Sequence, residues 1–151
     1  MNLATCSYQE YEPSMGIPVQ ASRGAPKFWR HGPLLPWPLV MPTWQILKIN
    51  DEEAYRRAYL GRLDQIGPDR VTRALPGLLD AWKAARIPNS GVSDDRLVLM
   101  CFEKLSVPGK WCHRTMLADW IRANTGIEVI ELGSKPQKPD SLAKSIEPTL
   151  F

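Results

Sequence analysis

Five side chains suited to chemistry fall within fourteen positions of one another: Cys101, Glu103, Cys112, His113 and Arg114. Cys112-His113-Arg114 reads as the opening of a helix. Backbone donors are unpaired at a helix start and the helix dipole favours negative charge there. A thiol so placed drops from an ordinary pKa of about 8.5 to roughly 3.5–7.5. Arg114 in the first turn opposes the dipole, which points to an anion bound at the same place. Glu103 is either that carboxylate or a general base beside His113. Cys112, His113 and Glu103 are therefore the candidate catalytic set, with Cys112 a nucleophile where it ionises. Arg114, with Ser22 and Arg23 from an earlier loop, is a candidate anion-binding group.

Three readings of Cys112 stand side by side. Cysteine is commonly a buried and inert residue, so a plain core thiol is the first. A ligand-facing thiolate is the second. The third is a metal ligand, with Cys101, Cys112 and His113 in the set and Cys6 as a fourth. Ten residues separate Cys101 from Cys112 and no CxxC is present, so the spacing matches no compact zinc module and the signal is weak. Phosphatase and rhodanese chemistry needs a loop of backbone donors between its cysteine and arginine. Arg114 follows Cys112 by only two positions, which rules that chemistry out. No GxGxxG and no phosphate-binding P-loop is present. The sequence names no cofactor.

The elements that must hold these groups follow from periodicity. Leu97–Phe102 is a continuous apolar run of strand length, suited to a strand covered on both faces. Residues 112–124 form a helix with Met116, Leu117, Trp120 and Ile121 inward, and Gly126 ends it. Residues 127–132 form the next strand. Strand, helix and strand make a C-terminal βαβ unit with parallel strands. Open α/β folds place ligand sites at the carboxyl ends of such strands.

Upstream, Asn50 or Asp51 caps a helix carrying Tyr55, Tyr59, Leu63 and Ile66 on its apolar face. Gly67-Pro68 ends it, and a second helix over 69–86 follows, kinked or divided at Pro76. Residues 87–95 read as loop. Residues 1–50 look irregular, because seven of the fourteen prolines fall between Pro13 and Pro42. Ile17–Ala21 forms a short strand, and Met41–Trp44 leads into a turn of helix. Trp29, Trp37 and Trp44 make the segment too apolar for a free linker, so a long Pro/Trp-rich loop at about 13–44 should pack on the body.

Composition narrows the class. A chain of 151 residues, 44% hydrophobic and 23% charged, fits one soluble domain. The expected fold is a small three-layer, Rossmann-like α/β domain over 1–133 with a mainly parallel sheet, followed by an extended or flexible tail over 134–151. No apolar run reaches the roughly 20 residues of a transmembrane helix, and the polar N-terminus does not read as a signal peptide. Three cysteines are an odd and sparse set that suits a reducing, cytoplasmic compartment. A net charge of +3 permits a basic patch without requiring nucleic acid. Arg23, Lys27, Arg30 and Lys48 face only Glu10 and Glu12 in the first fifty residues, so an anion-binding surface draws on the N-terminal third.

The motifs resemble those of the domain-of-unknown-function 488 family, in its compact bacterial and phage form. The carriers are Val98–Glu103 with its Cys-x-Glu, Trp111-Cys112-His113-Arg114, Gly126–Val129, Ala21–Lys27 with its Ser-Arg, and Met41–Trp44. The loop at Leu105–Gly109 is longer than that pattern, which would hold Cys101 and Cys112 apart. The resemblance implies an α/β fold, a bacterial or phage setting, and one pocket gathering Ser22, Arg23, Cys101, Glu103, Cys112, His113 and Arg114. It supplies no reaction.

Three functions compete on these residues. The first is binding of a phosphate-bearing ligand, a nucleotide or nucleic acid, at the Cys-His-Arg helix start, with or without catalysis. The second is a non-catalytic protein-interaction role, as between phage and host, through the Trp29–Trp44 segment, since tryptophan is enriched in binding hot spots. The third is a thiol or metal role through Cys101 and Cys112. None involves a membrane.

Overall fold

A computed structural model describes residues 2–85, 91–93, 96–105 and 107–133. Five strands form one all-parallel sheet in the order β3-β2-β4-β1-β5. They are β1 (Asn2–Ser7), β2 (Ile17–Gln20), β3 (Leu35–Pro36), β4 (Arg96–Cys101) and β5 (Val129–Glu131). The helices are α1 (Trp44–Leu47), α2 (Glu52–Ile66), α3 (Pro68–Ala84) and α4 (His113–Thr125). The α/β class and its parallel sheet are as the sequence predicts.

Asn2–Ser7 depart from expectation. They read as part of an irregular region, yet β1 lies inside the sheet between β4 and β5. Thr5, Cys6 and Ser7 disguise it, because polar residues do not look like a doubly covered strand. The two hydroxyls are satisfied by carboxylates: Thr5 Oγ1 donates to Glu131 Oε1 at 2.9 Å and Ser7 Oγ to Glu10 Oε1 at 2.7 Å. The β4–α4–β5 unit is parallel as expected, but its strands do not touch. The crossover skips one position, and both strands pair with β1.

Side chains alternate across the sheet. Leu3, Ile17, Val19, Leu97, Leu99 and Val129 face one side, where they meet Tyr55, Tyr59 and Leu63 of α2, Val71, Leu75 and Trp82 of α3, and Met116, Leu117, Trp120 and Ile121 of α4. Ala4, Cys6, Val98 and Met100 face the other side, covered by Tyr8, Tyr11, Met15, Trp29 and Leu34. The third layer is thus made of loop aromatics rather than helices. The Pro/Trp-rich segment packs on both sides of the sheet, with Met15, Trp29 and Leu34 in that layer and Leu35, Trp37 and Val40 on the helical side.

Local signals hold at the helix ends. Asp51 Oδ2 accepts from the Ala54 amide at 2.8 Å and Thr43 Oγ1 from the Ile46 amide at 3.2 Å. Gly126 takes the left-handed conformation (φ 74°) that closes α4. Pro76 does not divide α3, which runs unbroken through it. The tail at 134–151 and most of the loop read at 87–95 lie outside the described residues.

Candidate functional site at the carboxyl end of the sheet

β2 and β4 are neighbours, so the segments after them leave the sheet side by side. The Ala21 amide donates to Met100 O at 3.1 Å, which sets Ala21-Ser22-Arg23 against Cys101-Phe102-Glu103. The start of α4 closes the third side. Cys112 is its N-cap residue in extended conformation, and its sulfur caps no backbone amide.

His113 ties the three segments together. Its Nε2 lies 2.9 Å from Ala21 O and its Nδ1 lies 3.3 Å from Cys101 Sγ. A carbonyl only accepts, so Nε2 carries the proton, and in the neutral ring Nδ1 is the acceptor that faces Cys101. Tyr59 of α2 packs edge-on against the ring, with centroids 5.4 Å apart.

The two neighbouring thiols divide in character. Burial pushes Cys101 well above the ordinary thiol range, and the adjacent Cys112 pushes it further. Burial also acts upward on Cys112. The hydrogen bond from Cys101, with the positive charge of Arg114, outweighs it and holds Cys112 well below the ordinary range. Of the two thiols, Cys112 is thus the more readily ionised. Leu105 packs over both sulfurs, so the longer loop between them does not hold them apart as its length suggests.

Arg114 has a different task from the one its position suggests. Its side chain is fully buried and pairs with Glu131 through Nε–Oε1 at 3.0 Å and Nη2–Oε2 at 3.3 Å. Nη1 donates to Glu103 O at 2.7 Å. The anion that offsets the helix start is thus a protein carboxylate two strands away from Cys101, and Arg114 is not available to a ligand. What it does is fasten the Cys-x-Glu strand end to the first turn of α4. Glu131, which sequence reasoning missed, completes the fastening: Thr5 Oγ1 and the Gly133 amide occupy its remaining acceptor sites. Its signal was weak, because the predicted strand 127–132 carries two acids, Glu128 and Glu131.

Ser22 is also structural. Its hydroxyl donates to Gly24 O at 2.6 Å and lies 2.6 Å from Tyr8 Oη, which must then be the donor of that bond. Both of its roles are filled by the protein, and the loop carrying Arg23 is held as a result. Cys6 does not join the site. It points to the opposite sheet face, with Sγ 3.9 Å from Met15 Sδ.

A cavity of about 570 Å³ opens over these groups. Cys101, Cys112 and His113 line it, with Glu103 and Arg23 at its sides. Trp44, Phe102, Trp111 and Tyr55 supply aromatic walls, and Lys110 adds a second cation. Arg23 donates Nε to Pro42 O at 3.0 Å and lies over the Trp44 ring, 5.7 Å from its centroid. Its terminal nitrogens bond to no described residue. Lys110 and Glu103 approach to 3.6 Å, but both are well exposed, so the pair contributes little. Sequence reasoning missed Trp44 as a wall of this site and Lys110 altogether, since a single exposed aromatic or lysine carries no spacing signal.

The three tryptophans of the early segment separate. Trp37 is buried in the main core, which removes it as a partner-binding anchor. Trp29 packs against Tyr8, Tyr11 and His31. Trp44 is 65% exposed at the cavity mouth. Among the described residues no helix is long and apolar enough to cross a membrane. No protein-family model, no curated protein and no solved structure matches the chain.

Proposed function

We propose that this protein binds a phosphate-bearing ligand with a planar ring, a nucleotide or a nucleotide unit of a nucleic acid, in the cavity at the carboxyl end of the sheet. One observation carries the reading. Arg23 is held over an exposed tryptophan with its terminal donors turned to no protein acceptor, beside a cavity walled by aromatic rings. A fixed guanidinium suits a phosphate, and aromatic faces suit a base, since every base presents a π-face. Cys112 lies on the floor, where a bound ligand meets a thiolate. The Cys-x-Glu and Cys-His-Arg motifs support kinship with the domain-of-unknown-function 488 family, and in this reading Arg114 serves by holding those motifs together.

Calorimetric titration with nucleoside monophosphates tests the proposal. Wild-type protein is expected to bind them more tightly than the matching nucleosides. Arg23→Ala should weaken binding about tenfold or more, the loss of one charge-assisted contact, without lowering thermal stability. Equal affinity for nucleoside and nucleotide, or an unaffected Arg23→Ala, would overturn it.

A further inference from the structure

His113 offers Nδ1 toward the same small volume as the sulfurs of Cys101 and Cys112, and the three donor atoms lie within 4.8 Å of one another. No other such group of histidine, cysteine or acidic residues occurs among the described residues. We propose that Cys101 Sγ, Cys112 Sγ and His113 Nδ1 bind one zinc-class divalent ion, with a fourth position open to the cavity.

Distance is the first argument. Tetrahedral coordination at about 2.3 Å to sulfur and about 2.0–2.1 Å to nitrogen separates donor atoms by about 3.6–3.8 Å. The Cys101–His113 separation of 3.3 Å and the 4.8 Å limit on the set bracket that value, so side-chain rotations of about an ångström close the site.

The outer partner of His113 is a second and independent argument. Metal-bound histidine almost always donates its other ring N–H to a carboxylate, carbonyl or water, which fixes the tautomer. His113 has this arrangement already, with Nε2 on Ala21 O at 2.9 Å. The ring is locked between that carbonyl and Tyr59, so Nδ1 cannot turn away from the sulfurs.

Charge is consistent with the assignment. Both thiols enter as thiolates, and any proton they carry leaves to solvent as the ion binds. Two thiolates and a neutral imidazole then balance a divalent ion. Arg114 adds no net repulsion because Glu131 pairs with it on both oxygens. Since all three ligands line the cavity, the fourth position faces it. Three protein ligands with one open position is the pattern of catalytic rather than structural zinc, and a water held there would be activated for attack on a bound ligand.

The site stands apart from the nucleotide proposal and is tested without any nucleotide. Chelator-treated full-length protein is titrated with cobalt chloride and, separately, zinc chloride. One cobalt per chain is expected, with a thiolate-to-cobalt charge-transfer absorption that zinc abolishes. Cys112→Ser should weaken uptake by more than about a hundredfold, beyond the loss typical of an outer-shell partner, while Cys6→Ser leaves it unchanged. X-ray absorption on zinc-loaded wild type needs no variant to fold: two sulfur neighbours and one nitrogen from protein are expected. Absence of the charge-transfer band, equal uptake by Cys112→Ser, or a zinc shell without sulfur would overturn the assignment. Arg23→Ala should bind cobalt as wild type does, so the two proposals fail separately.

Discussion

Cys6 and Cys112 are both buried thiols, yet their surroundings drive them in opposite directions. Cys6 lies on β1 among Tyr8, Tyr11, Val98 and Met100. Burial pushes its pKa up to about 12, and the Glu131 carboxylate adds to the rise. Cys112 is as thoroughly enclosed, but its neighbours are Cys101, His113 and Arg114, and it is held below the ordinary range. Burial acts upward on both. What separates them is the supply of donors and positive charge, which the sheet collects at its carboxyl end and not on its other face. A second pair repeats the lesson. Arg114 is enclosed and neutralised by Glu131, whereas Arg23 is held by one backbone carbonyl and its terminal donors bond to no described residue.

The largest expected effect is chemical. In metal-free protein at pH 7, a thiol with a pKa of about 12 is ionised in roughly one molecule in 10⁵, and only the thiolate reacts. Iodoacetamide labelling followed by mass spectrometry should therefore modify Cys112 and spare Cys6. The sign of the pH dependence follows. A lowered pKa keeps Cys112 ionised as pH falls through the ordinary thiol range near 8.5, so its labelling should persist there, while Cys6 stays unreactive at every pH below about 12. Equal labelling of the two would erase the contrast.

Removing Glu131 is expected to have the next largest effect. Glu131→Ala leaves the Arg114 guanidinium buried and unpaired, which costs about 3–5 kcal/mol and should be read by urea unfolding. A cost under about 1 kcal/mol would mean the pair is not the clamp described above. Arg23→Ala, by contrast, should leave unfolding unchanged within about 0.5 kcal/mol, as surface substitutions usually do, and act on ligand binding alone. The smallest effect belongs to Lys110→Ala, where loss of the exposed pair with Glu103 should change stability by no more than about 0.5 kcal/mol.

Much of the frame was legible without a structure. The cap at Asp51, the glycine ends of α2 and α4, and the apolar faces of the long helices are local properties, set by residues a few positions apart. β4, α4 and β5 were readable for the same reason, and so was their placement of Cys101 and Cys112 near one sheet end. β1 was not, because Thr5, Cys6 and Ser7 are buried through the distant Glu131 and through pairing with a strand more than ninety positions away. No window of neighbouring residues contains that information.

The sequence by itself determined the long helices, the strand–helix–strand unit of β4, α4 and β5, the parallel α/β class and the short set of residues able to carry chemistry. Tertiary structure alone decided which of them are free. It placed Glu131 on Arg114, Tyr8 and Gly24 on Ser22, and Trp37 in the core, and it left Arg23 open beside Trp44. It also brought Cys101, Cys112 and His113 within 4.8 Å, although ten residues between the cysteines argued against a metal site. Ligand spacing along the chain predicts a site only when one short loop supplies the ligands. Here the strand end, the helix start and the Ala21 carbonyl come from three segments: the parallel pairing of β2 with β4 sets Ala21 beside Cys101, and Arg114 fastens the helix start to the Glu103 strand end.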